Sequence, residues 1–116
     1  MAIKIKNHDV LRHVLRAVYD DKLILLISWV WTRCSHVVIT SGYREGDKGV
    51  HGTLPCRGMD IRSWIYNNPQ AIVDDINAHF SYDPDRPEKK CAILHDTGNG
   101  NHIHNQVHPN TVYLGG

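Results

Sequence analysis

Residues 91–107 read CAILHDTGNGNHIHNQV, and this stretch sets the expected fold. Cys91–Leu94 and His102–Val107 are short, apolar-bearing runs, separated by the glycine-rich segment 96–101. That pattern predicts two strands joined by a turn, a β-hairpin. In a strand, residues i and i+2 share a face. His102 and His104 therefore project to one side, with Gln106 and His108 continuing that phase, while Ile103 and Asn105 face the other way. Upstream, His36–Thr40 is β-branched and short, and Gly58–Arg62 can form a further strand after a glycine- and proline-bearing loop over 42–58. A loop of that length is usually functional.

Helical patterns surround these strands. Val10, Leu11, Val14, Leu15 and Val18 lie at helical spacing over 9–19, with Asp9 placed to cap. Asp20-Asp21 marks a break, and Leu23–Arg33 is apolar on nearly every side, which suits a buried helix or a strand, the helix being favoured. Asn68-Pro69 opens a third helix, with Ile72, Val73, Ile76 and Phe80 on one face. Segment 81–90 reads as a polar surface connection. The expected architecture is one α+β domain spanning 1–116, a small antiparallel sheet with flanking helices.

Composition narrows the function. Thirteen Lys and Arg against twelve Asp and Glu leave a formal charge of +1, which argues against a counterion-releasing nucleic-acid binder with a strongly basic face. The longest apolar run, Leu23–Trp31, is too short for a membrane span. The charged start MAIKIKNH is not expected to act as a signal peptide. Three widely spaced cysteines, Cys34, Cys56 and Cys91, form no disulfide framework and suit a reducing compartment. Nine histidines are the unusual entry, because imidazole is the commonest metal ligand and a near-neutral acid or base.

Spacing alone leaves several chemistries open. His102 and His104, together with His51 and Asp60, can form a zinc site of the three-ligand catalytic kind, or the His-x-His pair can be coincidental. Asp96-Thr-Gly98 matches the triplet of aspartic proteases, although little chain follows it; Asp96 can equally be a turn residue. Cys34, His36 and Cys56 offer a structural zinc alternative, and Cys56 or Cys91 a nucleophile without an identified base. Trp29, Trp31 and Trp64 read as core or rim packing. His8, His13, His36 and His79 read as ordinary surface or packed residues.

The ordered set Ser41-Gly-Tyr43-Arg44, His51, Gly58-Met-Asp60-Ile and His102-Ile-His104 resembles the zinc peptidases of the D-Ala-D-Ala carboxypeptidase, murein endopeptidase and hedgehog superfamily. The resemblance covers residues 37–108. It implies a hedgehog/DD-peptidase-like fold and one zinc per chain held by His51, Asp60 and His104. It assigns Arg44 to the substrate carbonyl or its oxyanion, with Ser41 and Tyr43 beside it, and His102 as the second active-site imidazole. The implied substrate is a peptide bond in a peptidoglycan stem or cross-link, next to a D-amino acid, and a monomer is expected. A phage or bacterial source is also implied, with synthesis in the cytoplasm and release or virion delivery to the wall. Two departures bear on activity. The His51–Asp60 interval is lengthened around Pro55 and Cys56, and Asn101 stands where carboxypeptidase members carry a glutamate base. The base is then His102, Asp96 or His95. The alternatives are a zinc-loaded module that binds a wall or protein partner without turnover, or a phage structural component. Activity is expected to fall in acid as imidazole ligands protonate.

Overall fold

The computed structural model describes residues 2–15, 17–96 and 101–115, apart from the side chains of Ala2 and Asp96. Seven strands and three helices follow in the order β1 (Ala2–Ile5), α1 (His8–Leu15), α2 (Asp21–Cys34), β2 (His36–Ser41), β3 (Gly58–Arg62), α3 (Pro69–His79), β4 (Phe80–Ser81), β5 (Ala92–Asp96), β6 (Asn101–Gln106) and β7 (Val112–Tyr113). Five strands form one sheet in the order β1-β2-β3-β6-β5, and β4 pairs with β7 separately. The α+β class stands, but the main sheet is mixed rather than antiparallel, because β1 runs parallel to β2. Nothing in the sequence marks β1 strongly. It is short, sits at an edge, and carries Lys4 with an exposed Ile3.

Local chemistry fixes the helix ends. In α1 the cap is Asn7, not Asp9: its Oδ1 accepts from the Val10 N–H at 3.0 Å. Asp9 instead pairs with Arg12 on the exposed side. The helix ends at Leu15, short of the expected residue 19. Beyond it, the Val18 carbonyl accepts from Cys56 N–H at 2.7 Å and the Asp20 N–H donates to the Cys56 carbonyl at 2.9 Å. That backbone is committed to the 42–58 loop and cannot also serve a helical turn. The Asp20 carboxylate then caps α2 through the Lys22 N–H. Ser35, at φ 67°, ends α2 in the left-handed region. In α3, Asn68 caps through Ala71 N–H, as its Asn-Pro start predicts.

The helices lie on one face of the sheet. Leu23, Leu26, Ile27 and Val30 of α2 and Val73 and Ile76 of α3 form a single core with Val37, Ile39, Met59, Ile61, Ala92 and Ile103. Each fully buried aliphatic side chain there contributes about 1.5–3 kcal/mol. Trp29 and Trp31 pack against this core. Trp64 is exposed and lies under the Arg62 guanidinium. Asn77 docks α3 onto the sheet edge by exchanging two hydrogen bonds with the Ala92 backbone. With the helices on that face, the opposite face of β3, β6 and β5 is left to form a cleft.

All three cysteines are free, and Cys56 and Cys91 are buried. Burial pushes the Cys91 thiol up to about 12 and also raises Cys56. Neither buried thiol is a nucleophile at neutral pH. In a thiol-reagent assay, native protein is expected to titrate at most one cysteine, Cys34, and unfolded protein three. Rapid modification of Cys56 or Cys91 in the native state would contradict this packing.

Candidate metal centre

Strand register builds most of the site. Asp60 on β3 stands opposite His104 on β6, and Arg62 opposite His102. Ile93 and His95 on β5 stand opposite His104 and His102 in turn. Directly opposed residues share a face with their Cβ atoms about 5 Å apart. The cleft face therefore gathers one carboxylate and three imidazoles. Asn105, on the opposite phase, is buried and donates to the Met59 carbonyl at 3.2 Å, so it does not orient the site.

His51 comes from elsewhere. It sits in a 3-10 turn, Val50–Gly52, inside the 42–58 loop. The turn is fastened from both ends: the Arg44 N–H donates to the His51 carbonyl at 2.7 Å and the Arg57 N–H to Val50 at 3.2 Å. Gly52 has no room for a side chain, since a Cβ there would collide with the Asp47 carbonyl. The longer His51–Asp60 interval is thus absorbed by a folded loop, and His51 reaches the sheet with only 4% of its surface exposed.

Three donor atoms converge. His104 Nδ1 lies 2.8 Å from Asp60 Oδ1, and His51 Nε2 lies 3.3 Å from that oxygen and 3.3 Å from His104 Nδ1. Atoms bound to one tetrahedral ion at about 2.0–2.1 Å stand about 3.3–3.4 Å apart. Two of the three separations match that edge, and the third is somewhat shorter. Proton placement is equally specific. His51 Nδ1–H donates to the Gly42 carbonyl at 2.8 Å, and His104 Nε2–H donates to Gln106 Oε1 at 3.0 Å. The Gln106 amide is itself set by Nε2 donating to the Lys90 carbonyl at 2.8 Å. In the neutral rings, His51 Nε2 and His104 Nδ1 are then bare lone pairs aimed at an ionised carboxylate. A cluster of acceptors with its donors turned outward fits a cation. His51, Asp60 and His104 can hold a metal ion.

Protonated imidazoles would instead pair with the carboxylate, and the charged forms favour one another. Burial alone would raise the Asp60 carboxyl, but the His104 and His51 imidazoles outweigh it and hold it well below the usual carboxylate range. Burial pushes His104 down, and the adjacent Asp60 more than reverses this. For His102 burial prevails over the attraction of Asp60, and the ring is held below its usual value.

The cleft has a volume of about 510 Å³, and its lining includes Arg44, Ile93, His95 and His102 beside His51, Asp60 and His104. Arg44 is exposed, with its guanidinium 3.5 Å from Asp47. Ser41 ends β2 in register with Asp60, and the Tyr43 N–H donates to the Tyr19 hydroxyl at 3.0 Å. Neither Ser41 nor Tyr43 is among the described residues lining the cleft. The backbone of Asp96 ends β5 opposite Asn101, but its side chain and the turn 97–100 lie outside the described residues. His108 does not extend the imidazole row. The strand ends at Gln106, and the His108 ring packs on Tyr82 at 5.5 Å. Cys34, His36 and Cys56 form no metal-ligating group among the described residues. In the sequence Gln106 is marked only by continuing the strand phase of His102 and His104. Its position two residues after His104, on the same strand face, was the signal for its orienting role.

Comparison with protein-family models, curated proteins and solved structures finds no match to this chain. Gln106→Ala tests the orienting hydrogen bond. It is expected to weaken metal affinity about 10–100-fold, measured by chelator competition. Gln106→Glu, which retains an acceptor, is expected to lose less. Equal affinity in Gln106→Ala would refute the role.

Proposed function

We propose that the chain is a zinc peptidase that hydrolyses a peptide bond in peptidoglycan stem or cross-link peptides containing D-amino acids. The observation that carries the reading is the convergence of His51 Nε2, Asp60 Oδ1 and His104 Nδ1 on the floor of an open cleft, with a further imidazole beside them. Two imidazoles and one carboxylate, with room for a fourth ligand, is the donor set of catalytic zinc. Zinc held there supplies Lewis acidity toward a carbonyl and toward water.

The chain's own residues supply the rest. His102 lies with Nε2 3.5 Å from Asp60 Oδ2 and is neutral near pH 7, so it can accept a proton within the cleft. Arg44 places fixed positive charge where a carbonyl oxygen becomes negative. Ile93 gives an apolar wall against which a small side chain of a stem peptide can rest. A volume of about 510 Å³ suits a few residues of extended peptide. The peptidoglycan substrate rests on the motif resemblance.

A second reading, a zinc-loaded module that binds wall peptides without cleaving them, is favoured by Asn101. That residue is exposed at the start of β6, three positions before His104, and cannot take a proton from water. Incubation with purified muropeptides, with and without a chelator, separates the two. Turnover that stops on chelation and returns with zinc eliminates the binding-only reading. Absence of turnover by fully zinc-loaded protein, on both stem and cross-linked substrates, eliminates the hydrolase. No helix among the described residues is long and apolar enough to cross a membrane.

A further inference from the structure

We infer that the cleft carries a second, weaker divalent-cation site, formed by Asp60 Oδ2, His102 and His95, so that Asp60 can bridge two ions. The inference rests on reading His51, Asp60 and His104 as the first cation site. In that site one carboxylate oxygen, Oδ1, meets both imidazoles. The other, Oδ2, points toward His102, whose Nε2 is 3.5 Å away. That separation is close to the edge of about 3.3–3.4 Å expected for two ligands of one tetrahedral ion.

The third donor would be His95, whose exposed ring has to turn toward Asp60 and His102, since among the described residues only His51, Asp60 and His104 already hold their donor atoms together. His95 stands opposite His102 in the β5–β6 register, on the cleft face. The two rings have centroids 5.5 Å apart and are nearly perpendicular, at 75°. Two imidazoles bound to one ion would hold their centroids about 5 Å apart. The ring pair of the first site, His51 and His104, has a centroid spacing of 5.2 Å. The outer pair, on β5 and β6, therefore has a spacing close to that of the inner pair, in which only His104 is a strand residue. Carboxylate-bridged ions in such an arrangement sit about 3.5–4 Å apart.

The outer site binds second for two reasons. The single carboxylate is shared between two dications, which repel one another. His95 is also exposed, and among the described residues no hydrogen bond fixes its ring, whereas Gly42 and Gln106 fix the inner pair. An ion in the outer site takes the His102 lone pair that the hydrolytic reading assigns to proton transfer. The two uses of His102 exclude each other, so excess metal would act as an inhibitor.

The test is metal stoichiometry, using zinc alone. Parent, His95→Ala and His36→Ala chains are dialysed to equilibrium against limiting and then excess zinc and analysed for bound metal. His36 is an exposed histidine at the start of β2 and serves as the control. The expected result is one zinc per parent chain at limiting metal and two at excess, with His95→Ala holding one throughout and His36→Ala matching the parent. In a parallel cobalt titration, the second equivalent should alter the absorption bands of the first, because both ions bind one carboxylate. One zinc in the parent at every concentration, a second zinc retained by His95→Ala, or spectroscopically independent cobalt ions would each overturn the outer site. A parent chain that binds no zinc would instead overturn the inner site.

Discussion

His104→Ala is expected to retain less than about one tenth of the zinc found in the parent chain, which should hold about one ion per chain at limiting metal. His104 is the best single test because it belongs to two arrangements at once. Its Nδ1 completes the donor triangle, and its Nε2–H is the only proton of that ring that Gln106 can accept. Structural zinc sites with four ligands carry apparent binding free energies of about 10–16 kcal/mol, or about 3 kcal/mol per ligand. Loss of one ligand from three then costs roughly a hundredfold or more in affinity. The side chain is partly exposed at the cleft floor, so its removal opens no core cavity; the buried Asp60 carboxylate loses one partner and keeps His51, so the metal-free variant should still unfold cooperatively, at a lower temperature than the metal-free parent. Full zinc content in a folded His104→Ala would reject the ligand assignment. Asp60→Asn provides a check of a different kind, because it keeps the shape of the side chain and removes the charge. It should lose zinc as well, since two neutral imidazoles and an amide compensate a dication poorly.

Much of this site was legible in the sequence because β-strand phase is strict. Once His102-Ile-His104 is read as a strand, a shared face for the two imidazoles follows from geometry. The register that sets Asp60 against His104 was not legible, since pairing depends on a turn and a long loop whose closure no local pattern specifies. His51 was harder still: its position depends on backbone hydrogen bonds from Arg44 and Arg57, and the glycine spacing hints at such a turn without fixing it. The Gly42 carbonyl that orients His51 is a backbone atom and leaves no trace in residue type. At the level of fold, α3 was readable from its apolar face and its Asn-Pro start, whereas α2, apolar nearly all round, left helix and strand open until the Asp20 cap was seen. The parallel edge strand β1 and the two-residue pair β4–β7 were not readable, because strands of two to four residues bury too little to impose a pattern. The overextended α1 has a different origin. Val18 continues the apolar spacing, yet its backbone is taken by Cys56, and the residue is 72% exposed.

His102→Ala separates metal binding from proton transfer. Under the hydrolytic proposal, kcat on a muropeptide is expected to fall about 10²–10⁴-fold, the usual contribution of a positioned acid or base. Zinc at limiting metal should remain at one per chain, because His51, Asp60 and His104 supply that site without His102. KM should change little, since the ring is a small part of a cleft also lined by Arg44 and Ile93. His102→Gln strengthens the test: the amide fills a similar space and can hydrogen-bond, but it cannot carry the proton. Turnover in His102→Gln close to that of the parent would remove His102 from the chemistry. His95, whose ring packs against His102, would then be the imidazole left to test on the cleft face. A fall in kcat with an equal fall in bound zinc would mean that His102 supports the inner ion instead, through its approach to Asp60 Oδ2. Only loss of turnover at constant zinc fits an imidazole that moves the proton while the neighbouring triangle holds the metal.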